Sequence, residues 1–158
     1  MVYPSKYIRI LLFASIVVLG YFGIVRVVHG GGDVLSTGDK VDDVIDTYIQ
    51  DHDVMVFAKS YCPHCKTSKS IIELLQHETS HYTTWTEKFL YLDQMEDPND
   101  ATIIQNALYE KTGQRTVPNI FVGGKHVGGN TDLVALYQSG ELFTTIKEIA
   151  IARFRTEL

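Results

Sequence analysis

Apolar and polar positions divide the chain into a front segment with no polar face and a longer region of short, patterned elements. Ile10 to Val25 is an unbroken uncharged run. With Ile8 and Val27–Val28, and with Arg9 and Arg26 snorkelling from its ends, it supplies about 20 residues, roughly what a hydrocarbon core requires. It is apolar all round and lacks the stripe of a core-packing helix. From residue 41 the period changes. Val41, Val44, Ile45 and Tyr48 (or Ile49) recur at i, i+3, i+4, i+7 and predict an amphipathic helix ended by Asp51-His52-Asp53. Val54–Ala58 is a short, β-rich apolar run, and Ile71, Ile72, Leu74 and Leu75 mark a helix that fades near His77–His81. A second strand is predicted at Lys88–Leu92. Asp97 as cap and Pro98 as first residue open a helix that carries Ile103, Ile104, Ala107 and Leu108 and stops at Gly113. Pro118 directly precedes a β-type run, Asn119–Val122, which Gly123-Gly124 turns back into Lys125–Val127. Gly128 to Asp132 opens a helix at Leu133–Gln138, and Glu141–Phe154 is the last amphipathic helix. The class is α/β, with room for one domain behind the front segment.

Flanking charge gives that segment an orientation. Lys6 and Arg9 lie on its N-terminal side, and Tyr3, Tyr7 and Tyr21 suit interfacial positions. Residues 1–7 are therefore expected in the cytosol, 8–28 as a signal-anchor transmembrane helix, 29–40 as a flexible glycine-rich stem and 41–158 as the folded domain. A cleaved signal peptide is the rival; the run exceeds the usual apolar core of one, and Val28-His29-Gly30 is only a weak cleavage site. Either choice puts the domain in the secretory pathway. A type II protein of the Golgi or endoplasmic reticulum, with a lumenal domain, is expected.

All 19 acidic residues follow Gly30, as do eleven of the 14 basic ones, which leaves that part at about −8. Such a balance argues against nucleic-acid binding, which wants a basic face. An anionic substrate would be received by local cations and backbone amides.

The chemistry lies in Lys59-Ser60-Tyr61-Cys62-Pro63-His64-Cys65, which holds the only two cysteines of the chain. The motif sits where a buried strand hands over to a helix, whose first N–H groups and partial positive charge favour thiolate at Cys62. C-x-x-C in that setting reads as a redox site. A structural zinc site would need further ligands, His64 is badly placed between the cysteines, and no metal is expected. A purely structural disulfide closing so small a ring adds little loop-closure entropy.

This order of elements, with C-x-x-C after the first strand and Thr-Val-Pro before the third, resembles the glutaredoxins over roughly residues 41–152. Gly113 to Asp132, Gly-Gln-Arg-Thr-Val-Pro-Asn-Ile-Phe-Val-Gly-Gly-Lys-His-Val-Gly-Gly-Asn-Thr-Asp, looks like dithiol glutaredoxins of fungi nearly residue for residue, and Leu92-Asp93-Gln94-Met95 matches another family segment. With the anchor in front, the chain is most similar to the membrane-anchored glutaredoxins of the fungal early secretory pathway. The resemblance implies a thioredoxin fold, a four-stranded mixed sheet flanked by helices. It implies Cys62 as nucleophile, Cys65 as resolving cysteine and a cis Pro118. It implies a groove for glutathione, the co-substrate, built from Lys59, Tyr61, Gln105, Val117, Pro118, Thr131 and Asp132. Lys59 would pair with a carboxylate and Gln105 reach the glycine end. Val117 would offer its backbone to the cysteinyl unit, and Thr131 and Asp132 would hold the γ-glutamyl end. The partners implied are glutathione and glutathionylated or disulfide-bonded client proteins. His64 departs from the family's usual aromatic residue. Cys-Pro-His-Cys is similar to the motif of bacterial periplasmic disulfide oxidases, so a less reducing potential is expected, with His64 stabilising the Cys62 thiolate. The competing readings are a [2Fe–2S]-binding dimer, against which Pro63 counts, and a net oxidase or isomerase of secretory disulfides.

Overall fold

A computed structural model describes residues 40–81 and 83–156, without the side chains of Phe154 and Thr156. The expected cytosolic tail, the anchor and all but the last residue of the stem lie outside the described residues. Among the described residues, no helix is long and apolar enough to cross a membrane.

The elements run α1 (Val41–Asp51), β1 (Val54–Ala58), α2 (Pro63–Thr79), β2 (Glu87–Tyr91), α3 (Pro98–Thr112), β3 (Asn119–Val122), β4 (Lys125–Gly128), α4 (Asn130–Gln138) and α5 (Glu141–Thr156). The strands form one mixed sheet in the order β2-β1-β3-β4. β1 pairs parallel with β2 across the α2 crossover and antiparallel with β3, and β3 pairs antiparallel with β4. Every residue of β1 is buried, which suits a central strand covered by helices on both faces. Because side chains alternate along a strand, Val54, Val56 and Ala58 join the core beneath α2, α4 and α5. Met55 and Phe57 join the opposite core, with Ile45 and Ile49 of α1 and Ile104 and Leu108 of α3. The expected four-stranded mixed sheet flanked by helices is present.

Several boundaries differ from expectation. β2 starts one residue earlier than expected and stops at Tyr91, because Leu92 turns inward and opens a 3-10 turn, Leu92–Gln94. α4 begins at Asn130, three residues before the predicted Leu133, so Thr131 and Asp132 belong to its first turn. The apolar period of that helix starts only at Leu133, and the polar first turn hides its true start. α3 keeps the expected cap, with the Asp97 carboxylate accepting the Asn99 N–H at 2.8 Å. It closes on Gly113 in the left-handed conformation, φ 74°.

The long connection between α2 and β2 is organised by Trp85, which is 6% exposed. Its Nε1–H donates to Thr79 Oγ1 at 2.8 Å at the end of α2. Next to it, the Asp53 carboxylate accepts the Thr86 N–H at 2.7 Å and pairs with Arg153 of α5 at 2.7 Å. A carboxylate that is 4% exposed is held by these partners, and removing the cation leaves buried charge behind. Arg153 itself is one-third exposed, which reduces the cost. Arg153→Met is expected to lower stability to denaturant by about 1–2 kcal/mol, read as a lower midpoint at unchanged slope. An unchanged midpoint would show the pair to be decoration.

Candidate active site

Cys62 is the N-cap of α2 and Pro63 its first residue, a position where a missing N–H costs nothing. The turn before it is closed by the Cys62 N–H donating to the Lys59 carbonyl at 3.1 Å. It is fastened to the 3-10 turn after β2 by Ser60, whose N–H donates to Asp93 Oδ1 at 2.8 Å and whose hydroxyl donates to Asp93 Oδ2. Although burial opposes it, these bonds hold the Asp93 carboxyl below the usual carboxylate range.

The two thiols are free and unequal. Cys62 is half-buried and Cys65 buried. Burial pushes the Cys62 thiol up, but the Cys65 N–H and thiol, the His64 N–H and the Lys59 charge together bring it below its ordinary value of 9.0. Burial pushes Cys65 up to about 11, aided by the Cys62 sulfur and the Asp93 charge, and the Lys59 backbone only partly opposes this. A thiolate forming in the pair therefore belongs on Cys62, the sulfur nearer solvent. His64 is exposed, and its backbone N–H is one of the groups that lower the Cys62 thiol.

Opposite Cys62 lies the entrance of β3. The Val117–Pro118 peptide is cis, and the Cys62 thiol points to the Val117 carbonyl at 3.7 Å. Ser68 of α2 donates to Asn130 of α4 at 3.0 Å, which joins the thiol helix to the helix that carries Thr131 and Asp132. Both of those residues are exposed. Asp132 Oδ2 accepts the Gly129 N–H at 2.8 Å and so caps its own helix. The same carboxylate explains Gly128: at φ +123° a Cβ there would lie 2.3 Å from Asp132 Oδ2. Tyr61 is 66% exposed beside the thiol, the most open large hydrophobic side chain among the described residues. Lys59 reaches Cys62 electrostatically, as above. Gln105 is committed to a backbone group: its Nε2 donates to the Arg115 carbonyl at 2.7 Å. Arg115 lies over the Tyr109 ring, 3.6 Å from its centroid.

Sequence reasoning gave no role to Ser60, Asp93, Gln114 or Asn130. All four lie inside the strings quoted above, so the signal was present without a mechanism attached.

A low thiol at the start of the helix after the first strand, facing a cis-proline edge and backed by a higher buried thiol, defines a thiol–disulfide oxidoreductase of thioredoxin-like fold. The glutaredoxin family profile matches residues 54–127. Glutaredoxin-C8 of Oryza sativa subsp. japonica is 40% identical over 112 residues, 71% of this chain and 75% of that protein. Glutaredoxin-1 of Saccharomyces cerevisiae is 41% identical over 102 residues, 64% of this chain and 86% of that protein. A crystal structure of a buckwheat glutaredoxin–glutathione complex superposes with a TM-score of 0.60 at 31% identity, over 69% of this chain and 89% of that one. The chain belongs to the glutaredoxins. It is a glutathione-dependent oxidoreductase, with glutathione as co-substrate.

The raised Cys65 thiol has a thermodynamic signature. The native state keeps that proton to about 11, whereas an unfolded cysteine releases it near 9.0. Its contribution to stability is complete below about 9 and is lost as pH rises through about 11. Denaturant midpoints of the reduced protein, compared with those of Cys65→Ser, should show a stability difference that shrinks over that window. A constant difference would contradict the assignment. Thiolate absorbance should rise first with Cys62, and Cys62→Ser should remove that first step.

Proposed function

We propose that this glutaredoxin reduces protein–glutathione mixed disulfides by a monothiol cycle on Cys62, with Cys65 reserved for protein disulfides. The observation that carries the reading is the division between the two thiols: Cys62 accessible and lowered, Cys65 buried and raised. In the first step the Cys62 thiolate attacks the glutathione sulfur. The client S–S bond breaks, a Cys62–glutathione disulfide forms, and the client sulfur leaves as thiolate and takes a proton. In the second step the thiolate of another glutathione attacks the glutathione sulfur of that adduct. Glutathione disulfide leaves and Cys62 is restored as thiolate. The net change is one client thiol gained and one glutathione disulfide formed. A mixed disulfide between Cys62 and a client cysteine would take the other route. Cys65, once deprotonated, attacks the Cys62 sulfur, and the client sulfur leaves as thiolate and takes a proton. Two glutathiones then reduce the Cys62–Cys65 disulfide and leave as glutathione disulfide.

In this reading Lys59 meets a glutathione carboxylate, Tyr61 lines the groove, and Val117 with Pro118 supports the cysteinyl unit. Thr131 and Asp132 receive the γ-glutamyl end. Gln105 takes the glycine end less directly than its sequence position suggested. Its amide fixes the Arg115 carbonyl, and the exposed Arg115 guanidinium is a cation on that same loop. The buckwheat relative was crystallised with glutathione, which supports the co-substrate for a chain of this family. We further propose that the apolar segment 8–28 anchors the enzyme in a Golgi or endoplasmic reticulum membrane, as in the secretory glutaredoxins of fungi, with the domain in the lumen. The length and flanking charges of the segment support this.

The full-length protein in detergent should turn over a glutathione mixed disulfide of a small thiol. Cys62→Ser should lose that turnover by more than about a hundredfold, while Cys65→Ser keeps at least about half. Equal loss in both variants would overturn the monothiol cycle. The membrane reading predicts that the protein stays with membranes through alkaline carbonate extraction and that intact vesicles shield the domain from added protease. Release into the supernatant would overturn it.

A further inference from the structure

Around Val117 the backbone carbonyls are taken up one by one. Gln105 Nε2 donates to the Arg115 carbonyl at 2.7 Å. Gln114 Nε2 donates to the Thr116 carbonyl at 3.0 Å and to the Pro118 carbonyl at 2.8 Å. A side-chain amide has two N–H donors, and both are used here, one on each side of the Val117–Pro118 peptide. Gln114 is itself anchored: its N–H donates to Thr112 Oγ1 at 3.1 Å, and that oxygen also accepts Asn119 Nδ2 at 3.1 Å. The Thr112 hydroxyl in turn donates to the Leu108 carbonyl at 2.7 Å. The clamp thus bears on the last turn of α3 and the first residue of β3. The Val117 carbonyl alone of these four is not held by an amide: it looks at the Cys62 sulfur at 3.7 Å, and among the described residues nothing accepts the Val117 N–H. A Cβ on Gly129 would lie 3.8 Å from Gln114 Nε2 and 3.7 Å from the Pro118 oxygen, so the amide also sits where the entrances of β3 and α4 meet.

We infer that Gln114 is a positioning residue for the substrate: by holding the Thr116 and Pro118 carbonyls it presents the Val117 N–H and C=O as a two-point edge for an extended cysteinyl backbone beside Cys62. The enzyme thereby selects disulfides embedded in a peptide over disulfides that carry none. This rests on the glutathione-dependent cycle proposed above. Gln114 touches neither the thiols nor the reacting sulfur, so its removal acts on substrate placement and leaves the reactivity of Cys62 in place.

The test uses the full-length chain in detergent and two substrates. One is the mixed disulfide of glutathione with a small thiol; the other is a peptide-free aromatic disulfide such as dithiobis(nitrobenzoate). Gln114→Met keeps the bulk and loses both donors. It is expected to raise KM for the glutathione disulfide about fivefold to tenfold with kcat within about twofold, while Cys62 reacts with the aromatic disulfide at the wild-type rate. Gln114→Glu removes the donors independently and should show the same split, should the thioether variant fail to fold. Gln114→Lys, which can still donate, should recover most of the KM. An unchanged KM in both donor-free variants, or equal slowing on both substrates, overturns the inference. If the wild-type chain does not turn over the glutathione disulfide at all, the underlying cycle is wrong and the inference falls with it. Wild-type turnover with an unchanged KM in the variants overturns the inference alone.

Discussion

β1 is buried on both faces, so every one of its side chains must be apolar and every backbone group must find a partner in a neighbouring strand. Nothing polar can be placed along it, and chemistry is pushed to its end. The chain leaves the sheet at Ala58, and four residues later Cys62 starts α2. The two cores fix where that end lies: α2, α4 and α5 hold one face and α1 and α3 the other. The reactive sulfur is therefore placed by packing that never touches it. The same packing brings the β3 entrance, with Val117, to the opposite side of that sulfur.

Electrostatics then separates two identical side chains three residues apart. Cys62 gathers the N–H groups of the helix start and the charge of Lys59. Cys65, one turn on and inside the core, meets chiefly desolvation. Asp93 holds the Ser60 turn that leads into Cys62, and its charge helps to raise Cys65 directly. This division requires only a position at a helix terminus and a difference in depth.

The cores were legible because they rest on apolar pattern: Ile45 and Ile49, the continuous apolar run of β1, and Ile104 and Leu108 all stand in the core, although the division of β1 between two cores shows only in the fold. So was the cysteine pair, which only the strand-to-helix junction could interpret. What periodicity could not carry are the polar contacts between segments distant in the chain. Asp53 with Arg153, Ser60 with Asp93, and Ser68 with Asn130 are pairs that no local pattern announces. Likewise, no local pattern announces that the amides of Gln105 and Gln114 bind the backbone of one loop. The early start of α4 was missed for a related reason, since its first turn is read by caps and not by apolar residues.

Trp85 is the sole tryptophan of the chain. It packs by the end of α2 and just ahead of β2, where Glu87 pairs with Val54 at the opening of β1, whereas Cys62 follows the far end of that strand. The indole is thus a fluorophore inside the core and at the other end of the sheet from the reactive sulfur. Its emission is tied to the integrity of the fold and is poorly placed to sense the oxidation state of the cysteines. Unfolding and thiol chemistry can consequently be followed in the same cuvette as two independent optical signals.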